Sequence, residues 1–357
     1  MLHSLYQLAT ETSPKSRRLL LRAVTKLFFY DPIPTTSSKQ HYGEIALSTL
    51  PHIGDKARRS YADNVAAEPN LPHSVATALA GDRESEVARL VLRLSPVLTD
   101  RDLAAIALNQ SQGHLAAIAE RARLSEKVTD ILVERGDNGV LNTVGGNEGA
   151  QFSDIGFEQL LERGREAPEI HRTVAVRSDL TEKRAERVMR LLVELGNEGD
   201  GSRDANDDVV AIAQEARKQR LEVSGLLADL AQETRALDDV LLMLAEEDRA
   251  YHLAQVLASQ STTSVDYALQ TLLRRSANGI SLICRALDVG YPAFAAILAL
   301  RARRLMFANK RIEDDLRNYA IVDATAAQQS IRFARMTAKL SEGKSAAFIA
   351  NGSRVRH

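Results

Sequence analysis

Eight histidines and one cysteine are the side chains of this 357-residue chain best suited to nucleophilic or metal chemistry. The histidines are His3, His41, His52, His73, His114, His171, His252 and His357. None stands at a metal-ligand spacing such as His-Glu-x-x-His, so neither a metal nor a cofactor is expected. His252 is the one weak catalytic candidate. It lies between acid-rich Glu246-Glu247-Asp248 and an apolar stretch, and helical-bundle phosphotransfer proteins use an exposed histidine on a helix as nucleophile. Tyr251 and Leu253 flank it, so no neighbouring carboxylate holds its tautomer. His114 falls at a repeat junction and His171 follows the apolar start of a second helix; both read as partners of turn hydrogen bonds. Cys284 follows Ile280-Ser281-Leu282-Ile283, the setting of a buried, inert thiol. A lone cysteine forms no internal disulfide and fits a reducing compartment.

Other motifs fail on context. Asp204, Asn206, Asp208 and Glu215 match positions 1, 3, 5 and 12 of a calcium loop, but Val209 stands where the turn needs glycine. Gly145-Gly146-Asn147-Glu148-Gly149 is glycine-rich but follows no strand, so it reads as an inter-helix turn rather than a phosphate cradle. Arg301, Arg303, Arg304, Lys310 and Arg311 cluster near the C-terminus. No aromatic platform interleaves them, and Glu313, Asp314 and Asp315 follow at once. A solvated, positively charged helix end is the simpler reading.

The elements that would position these residues are helices in a repeat. Leu98-Thr99-Asp100-Arg101, Leu124-Ser125-Glu126-Lys127 and Leu180-Thr181-Glu182-Lys183 share a pattern, with looser copies at Phe152-Ser153-Asp154-Ile155 and Leu71-Pro72-His73-Ser74. Their starts at 71, 98, 124, 152 and 180 lie 27, 26, 28 and 28 residues apart, a period that suits two short helices per unit. The hydroxyl is an N-cap and the acid next to it complements the helix dipole. The residue eight places after each opening apolar residue is apolar: Leu79, Ile106, Leu132, Leu160 and Val188. Second helices are expected around Val87–Leu94, His114–Ala122 and Ile170–Val176. One such pair cannot bury its apolar face alone, and stacking neighbours creates a continuous core.

Three runs carry a family resemblance: Leu94-Ser95-Pro96-Val97-Leu98-Thr99-Asp100-Arg101-Asp102-Leu103, His114-Leu115-Ala116-Ala117-Ile118-Ala119-Glu120-Arg121, and Val128-Thr129-Asp130-Ile131-Leu132-Val133-Glu134-Arg135-Gly136-Asp137. With Asn147-Glu148-Gly149-Ala150-Gln151-Phe152-Ser153 they resemble the DUF2336 family of bacterial proteins, found mainly in alphaproteobacteria. The resemblance implies a cytoplasmic, all-helical protein with HEAT-like repeats. It implies no activity and no catalytic residue.

The whole chain is therefore expected to be all-α: a right-handed α-α superhelix of HEAT-like, ~27-residue repeats, followed by a smaller helical subdomain. The solenoid with its capping helix takes residues 1–195, an acidic flexible loop 196–208, the helical subdomain 209–340 and a disordered tail 341–357. Ser13-Pro14 caps a first helix to about Phe29, whose apolar Leu20, Val24, Leu27 and Phe28 share a face. Arg18, Arg22 and Lys26 form a stripe on another face, with Lys15 and Arg17 nearby. The stripe would dock on an anionic partner or lipid headgroups, or serve as the polar outer face of a capping helix; the need of terminal repeats for a solvated face favours the cap. A loop is expected from Asp31 to about Lys39, then a degenerate repeat over 42–66. Beyond the acidic loop, helices are expected over Val209–Glu233, Leu237–Asp248, Arg249–Ser259, Ser264–Arg275, Gly279–Asp288 and Pro292–Asn309, with one or two more in 311–340.

Composition narrows the function classes. Hydrophobic residues make up 45% and charged residues 26% of the chain, and the formal net charge is −1, so no whole-chain attraction to nucleic acid or membrane is expected. The start lacks a signal peptide's basic and apolar regions. The apolar run Ala293–Leu300 is too short for a bilayer, which needs about 20 residues. The leading expectation is a non-enzymatic scaffold or adaptor that holds a protein or peptide on a concave helical surface. The rivals are histidine phosphotransfer or ligand sensing in the C-terminal helices, and nucleic-acid binding at Arg301–Arg311.

Overall fold

The computed structural model describes residues 13–31, 33–177, 179–198, 203–274, 276–305, 309–333 and 335–336. Among them the chain is all-helical, with no strand; an isolated parallel bridge joins Leu124 to Ala150. The chain divides into two compact units, Met1–Glu215 and Ala216–His357. Each has its own apolar core.

The first unit begins with α1 (Pro14–Phe28), where Ser13 accepts a hydrogen bond from the Ser16 amide as N-cap. Leu21 and Phe28 bury against α2 (Thr36–Thr49), with Phe28 stacked on Tyr42 at 4.2 Å. Leu27, expected on this face, is 60% exposed. The buried set runs 21, 24, 28, the i, i+3, i+7 register, and Leu27 falls outside it. Helix α2 also starts earlier than expected: Thr35 caps it by accepting from the Ser38 amide, inside the predicted loop.

Then come α3 (Asp55–Val65), α4 (His73–Ala80), α5 (Ser85–Leu94), α6 (Asp100–Asn109), α7 (Gln112–Ala119), α8 (Glu126–Arg135), α9 (Asn138–Gly146), α10 (Asp154–Arg163), α11 (Pro168–Ala175) and α12 (Glu182–Glu198). The repeated opening residues Leu71, Leu98, Leu124, Phe152 and Leu180 are all buried just before α4, α6, α8, α10 and α12. Thr99 and Asp102 close a full capping box at α6, and Ser153 caps α10 through the Gly156 amide. Ser125 stands at the N-cap of α8 without a side-chain capping bond. Alternate helices pack on one another: α3 on α5, α5 on α7, α7 on α9 and α9 on α11 in one layer, α6 on α8 and α8 on α10 in the other. The core of the first unit lies between them.

Two expectations of loops are corrected. Gly145 and Gly146 lie in the last turn of α9 rather than in a connecting turn. A Cβ on Gly145 would approach Val174 to 3.1 Å, and one on Gly146 would approach Thr173 to 2.7 Å. Both glycines thus serve close packing of α9 on α11. In the acidic stretch 196–208, α12 runs to Glu198 and α13 (Arg203–Ala231) begins at Arg203; residues 199–202 lie outside the described residues. Asp204, Asp207 and Asp208 lie within α13 rather than in a loop. The tail 341–357 also lies outside the described residues.

The division into units falls within α13. The second unit continues with α14 (Leu237–Glu246), α15 (Ala250–Ser261), α16 (Val265–Leu272), α17 (Asn278–Ala286), α18 (Tyr291–Leu305) and α19 (Asn309–Ile321), and a further helical stretch covers 324–333. Helix α14 packs along α18, and α15 along α16. Phe294 stacks on Tyr319 at 3.8 Å, and the Tyr319 hydroxyl donates to the Val289 carbonyl at 2.6 Å. Glu233, Asp248, Thr262 and Asp288 take positive φ just past the ends of α13, α14, α15 and α17. They fill the left-handed closing position that glycine usually takes.

Candidate functional site

A helix that ends inside a stack leaves up to four carbonyls without partners, at the negative end of its dipole. In the first unit, side chains from the next helix of the same layer answer this. Arg121, just past α7, donates to the Leu92 and Ser95 carbonyls at the end of α5. Asn147, past α9, donates to Ala119 and Arg121 at 2.8 and 2.7 Å. Arg177, past α11, donates to Gly145, Asn147 and Ala150 at 3.1, 2.6 and 3.0 Å. In the other layer, Arg135 ends α8 and reaches the Ala107 carbonyl. Arg163 ends α10 and reaches Val133, Glu134 and Gly136. A guanidinium suits the task, because its planar fork of five donors spans several carbonyls at once. Burial pulls the Arg121 guanidinium down to about 10, which leaves it cationic at neutral pH.

These arginines stand at 121, 135, 163 and 177, separated by 14, 28 and 14 residues. Sequence reading did not single them out as a set. The half-period spacing was the available signal, and basic residues near helix C-termini have a known physical role.

The second-helix layer turns a polar strip outward. Arg59 of α3 pairs with Glu86 of α5 at 3.0 Å, and Glu120 beyond α7 pairs with Arg89 and Arg93 of α5 at 3.4 and 3.3 Å. Further along, the Thr173 hydroxyl of α11 donates to Asn142 of α9 at 2.7 Å. These pairs join α3 to α5, α5 to the end of α7, and α9 to α11.

At the far end of the first unit a cleft of about 250 Å³ is lined by Glu126, Gln151, Phe152, Phe157, Arg177 and Arg184, among others. Arg177 lies 5.1 Å over the Phe152 ring and Arg184 4.7 Å over Phe157. Both cations are engaged: Arg177 pairs with Asp179 at 2.6 Å, and Arg184 pairs with Asp154 at 2.8 Å while donating to the Phe152 carbonyl. The cleft offers aromatic faces and fixed charge, with no acid and base set against a nucleophile.

The structure places the candidate residues apart. His252 is 3% exposed on α15, and its Nδ1 accepts from the Arg249 Nε at 2.9 Å. That burial is at odds with the exposed histidine which phosphotransfer requires. Cys284 is fully buried in the second core, and burial pushes its thiol up, away from the reactive thiolate. His114 joins the Asp82 carbonyl to the Ser111 hydroxyl, each at 2.9 Å. Asp204, Asn206 and Asp208 lie on helical backbone, which does not wrap an ion as a calcium loop does. Among the described residues, no group of three or more His, Cys, Asp or Glu could hold a metal.

The basic cluster is also reassigned. Arg301 was expected on a solvated helix end but is fully buried, donating to the Leu272 and Arg274 carbonyls at and just past the end of α16. Arg303 donates to the Ala245 carbonyl and Arg304 to that of Asp248, both at the end of α14. The second unit uses its arginines as the first does. Lys310 and Arg311 lie on α19.

His171 supplies a pH test. Its Nε2 donates to the Leu161 carbonyl at 2.8 Å, its Nδ1 is buried without a hydrogen-bond partner, and burial lowers its pKa below the ordinary value. A histidine depressed in the folded state binds its proton more readily when unfolded. Its contribution is complete above the unfolded pKa of about 6.5 and is lost as pH falls toward the folded value. The urea midpoint of the first unit should therefore hold from pH 8 to 7 and fall below, with a slope from this residue of at most about 1.4 kcal/mol per pH unit. His171→Gln should flatten that dependence; equal slopes in variant and parent would refute the assignment.

No curated protein and no solved structure matches the chain. Among the described residues, no helix is long and apolar enough to cross a membrane. The model of the DUF2336 family, described as an uncharacterised protein conserved in bacteria, matches residues 87–332, from within α5 to beyond α19, and the chain belongs to that family.

Proposed function

We propose that the chain is a non-enzymatic protein-interaction scaffold of the cytoplasm. Its repeats through residue 195 form a right-handed, HEAT-like superhelix, and a protein or peptide partner lies along the concave face of residues 71–195. One observation supports this above the others: polar side chains of the second-helix layer pair across neighbouring repeats, Arg59 with Glu86, Arg89 with Glu120 and Thr173 with Asn142. Such a strip presents carboxylates, guanidiniums and amides at the repeat spacing, which suits an extended peptide better than a compact small molecule. The engagement of the arginines near the cleft and the burial of His252 and Cys284 fit a structural rather than a catalytic use of these groups.

The test is affinity capture from lysate of the source organism, with the full chain and with an Arg89→Glu/Asn142→Arg variant as baits. A stoichiometric protein held by the parent and lost from the variant supports the strip as the binding face. Undiminished capture by the variant would remove the strip from the proposal. Histidine phosphotransfer at His252 remains the rival reading, and no observation favours it.

A further inference from the structure

Helix α1 lies at the start of the first unit and carries a surface that its packing does not use. Lys15, Arg17, Arg18, Arg22 and Lys26 fall within one 15-residue helix, and no acidic residue occurs between Lys15 and Tyr30. Lys15, Arg18, Arg22 and Lys26 are all exposed. Among the described residues no carboxylate forms an ion pair with any of the five. A stripe of this charge, on a chain of net charge −1, seeks an anionic surface.

The same region exposes large apolar side chains. Leu19 is 41%, Leu27 60%, Tyr30 87% and Ile33 84% exposed. Leu19 borders the cationic stripe, while Leu21 and Phe28 on the opposite side hold α1 to the core. A solvated capping face explains the cations but not these four residues. A nucleic acid or an acidic peptide would likewise pair with the cations and gain little from Leu27 or Ile33. A bilayer surface rewards both, because headgroups take the cations while leucine, isoleucine and tyrosine enter the boundary with the acyl chains.

We propose that α1 and the turn after it dock the protein on an anionic phospholipid surface, as an interfacial rather than a spanning element. The cations set the electrostatic attraction, and Leu19, Leu27, Tyr30 and Ile33 supply the insertion.

The test is co-sedimentation of the full chain with vesicles of phosphatidylglycerol and phosphatidylcholine, against vesicles of phosphatidylcholine alone. The anionic vesicles should retain the protein at least about tenfold more strongly at low salt, and the excess should fall as the Debye length shrinks from about 10 Å to about 3 Å. Arg18→Glu/Arg22→Glu/Lys26→Glu should abolish the excess. Leu27→Ser/Ile33→Ser, which keeps every charge, should weaken vesicle binding several-fold while leaving retention on heparin unchanged. These positions are exposed, and neither variant touches Leu21 or Phe28. Equal binding to both vesicle types, or a charge-reversed protein that still binds, overturns the proposal. So does a Leu27→Ser/Ile33→Ser variant that binds vesicles as the parent does, which would mark the stripe as a site for soluble polyanions.

Discussion

Replacing Arg177 by alanine is expected to cost the first unit about 3–5 kcal/mol, the range for breaking a buried, hydrogen-bonded ion pair. The side chain is nearly inaccessible, pairs with Asp179, and closes the carbonyls at the end of α9 and in the connection to α10. Its removal leaves several carbonyls and one carboxylate without their partner. Each unsatisfied group costs about 1–3 kcal/mol, so the carbonyls alone account for much of the loss. Arg177→Lys should recover only part of it, because an ammonium carries the charge without the planar fork. Arg187→Ala is the control: its pair with Glu158 is half exposed at 3.2 Å, and pairs of that kind contribute about 1 kcal/mol or less. Urea denaturation followed by hydrogen exchange over residues 138–177 reads the effect locally. An Arg177→Ala protein as stable as Arg187→Ala would show that the arginine closure of helix ends carries no stability.

That closure also marks what the sequence could disclose. The N-cap pattern was legible because cap and amide lie three residues apart: Thr99 with Asp102, Ser153 with Gly156. The opening apolar residue and its partner eight places on were legible for the same reason, and the all-helical class followed from them. The arginines were not, because their acceptors lie 26 to 33 residues upstream, and only the stacking of repeats brings donor to carbonyl. Helix α9 was obscured by Gly145 and Gly146, whose low helix propensity is outweighed by the close approach of α11. The burial of His252 was not legible either. It was a weak candidate because phosphotransfer uses an exposed helical histidine, and the fold turns it inward against Arg249. The polar strip eluded sequence reading in the same way, since its pairs join neighbouring repeats.

Gly149→Ala is expected to rival the loss of Arg177, for a reason without charge. Gly149 lies in the connection between α9 and α10, pressed against the backbone that leaves α7. A Cβ there would stand 1.9 Å from the Ala122 carbonyl oxygen and 2.8 Å from its carbon. Both are backbone atoms, so no side-chain rotation relieves the overlap. The chain would have to withdraw by an ångström or more, and the withdrawal strikes two hydrogen bonds at once: Leu124 N–H to the Gly149 carbonyl, and Gln151 N–H to the Leu124 carbonyl, each at 3.0 Å. It also disturbs Asn147, whose amide closes the end of α7 while its carbonyl oxygen accepts from the Gly149 N–H. Overpacking costs about 1–3 kcal/mol, and the lost backbone bonds bring the total to about 3–5 kcal/mol. Gly225→Ala sets the scale from the other side. That glycine lies in α13 with nothing within 4 Å of its Cβ position, so alanine should stabilise its helix by about 1 kcal/mol. Hydrogen exchange over residues 119–152 separates the outcomes. Lost protection there in Gly149→Ala means that the contact between consecutive repeats, rather than either helix alone, holds this part of the stack; full protection would mean that the connection yields without cost, and the close approach to Ala122 would carry no structural weight.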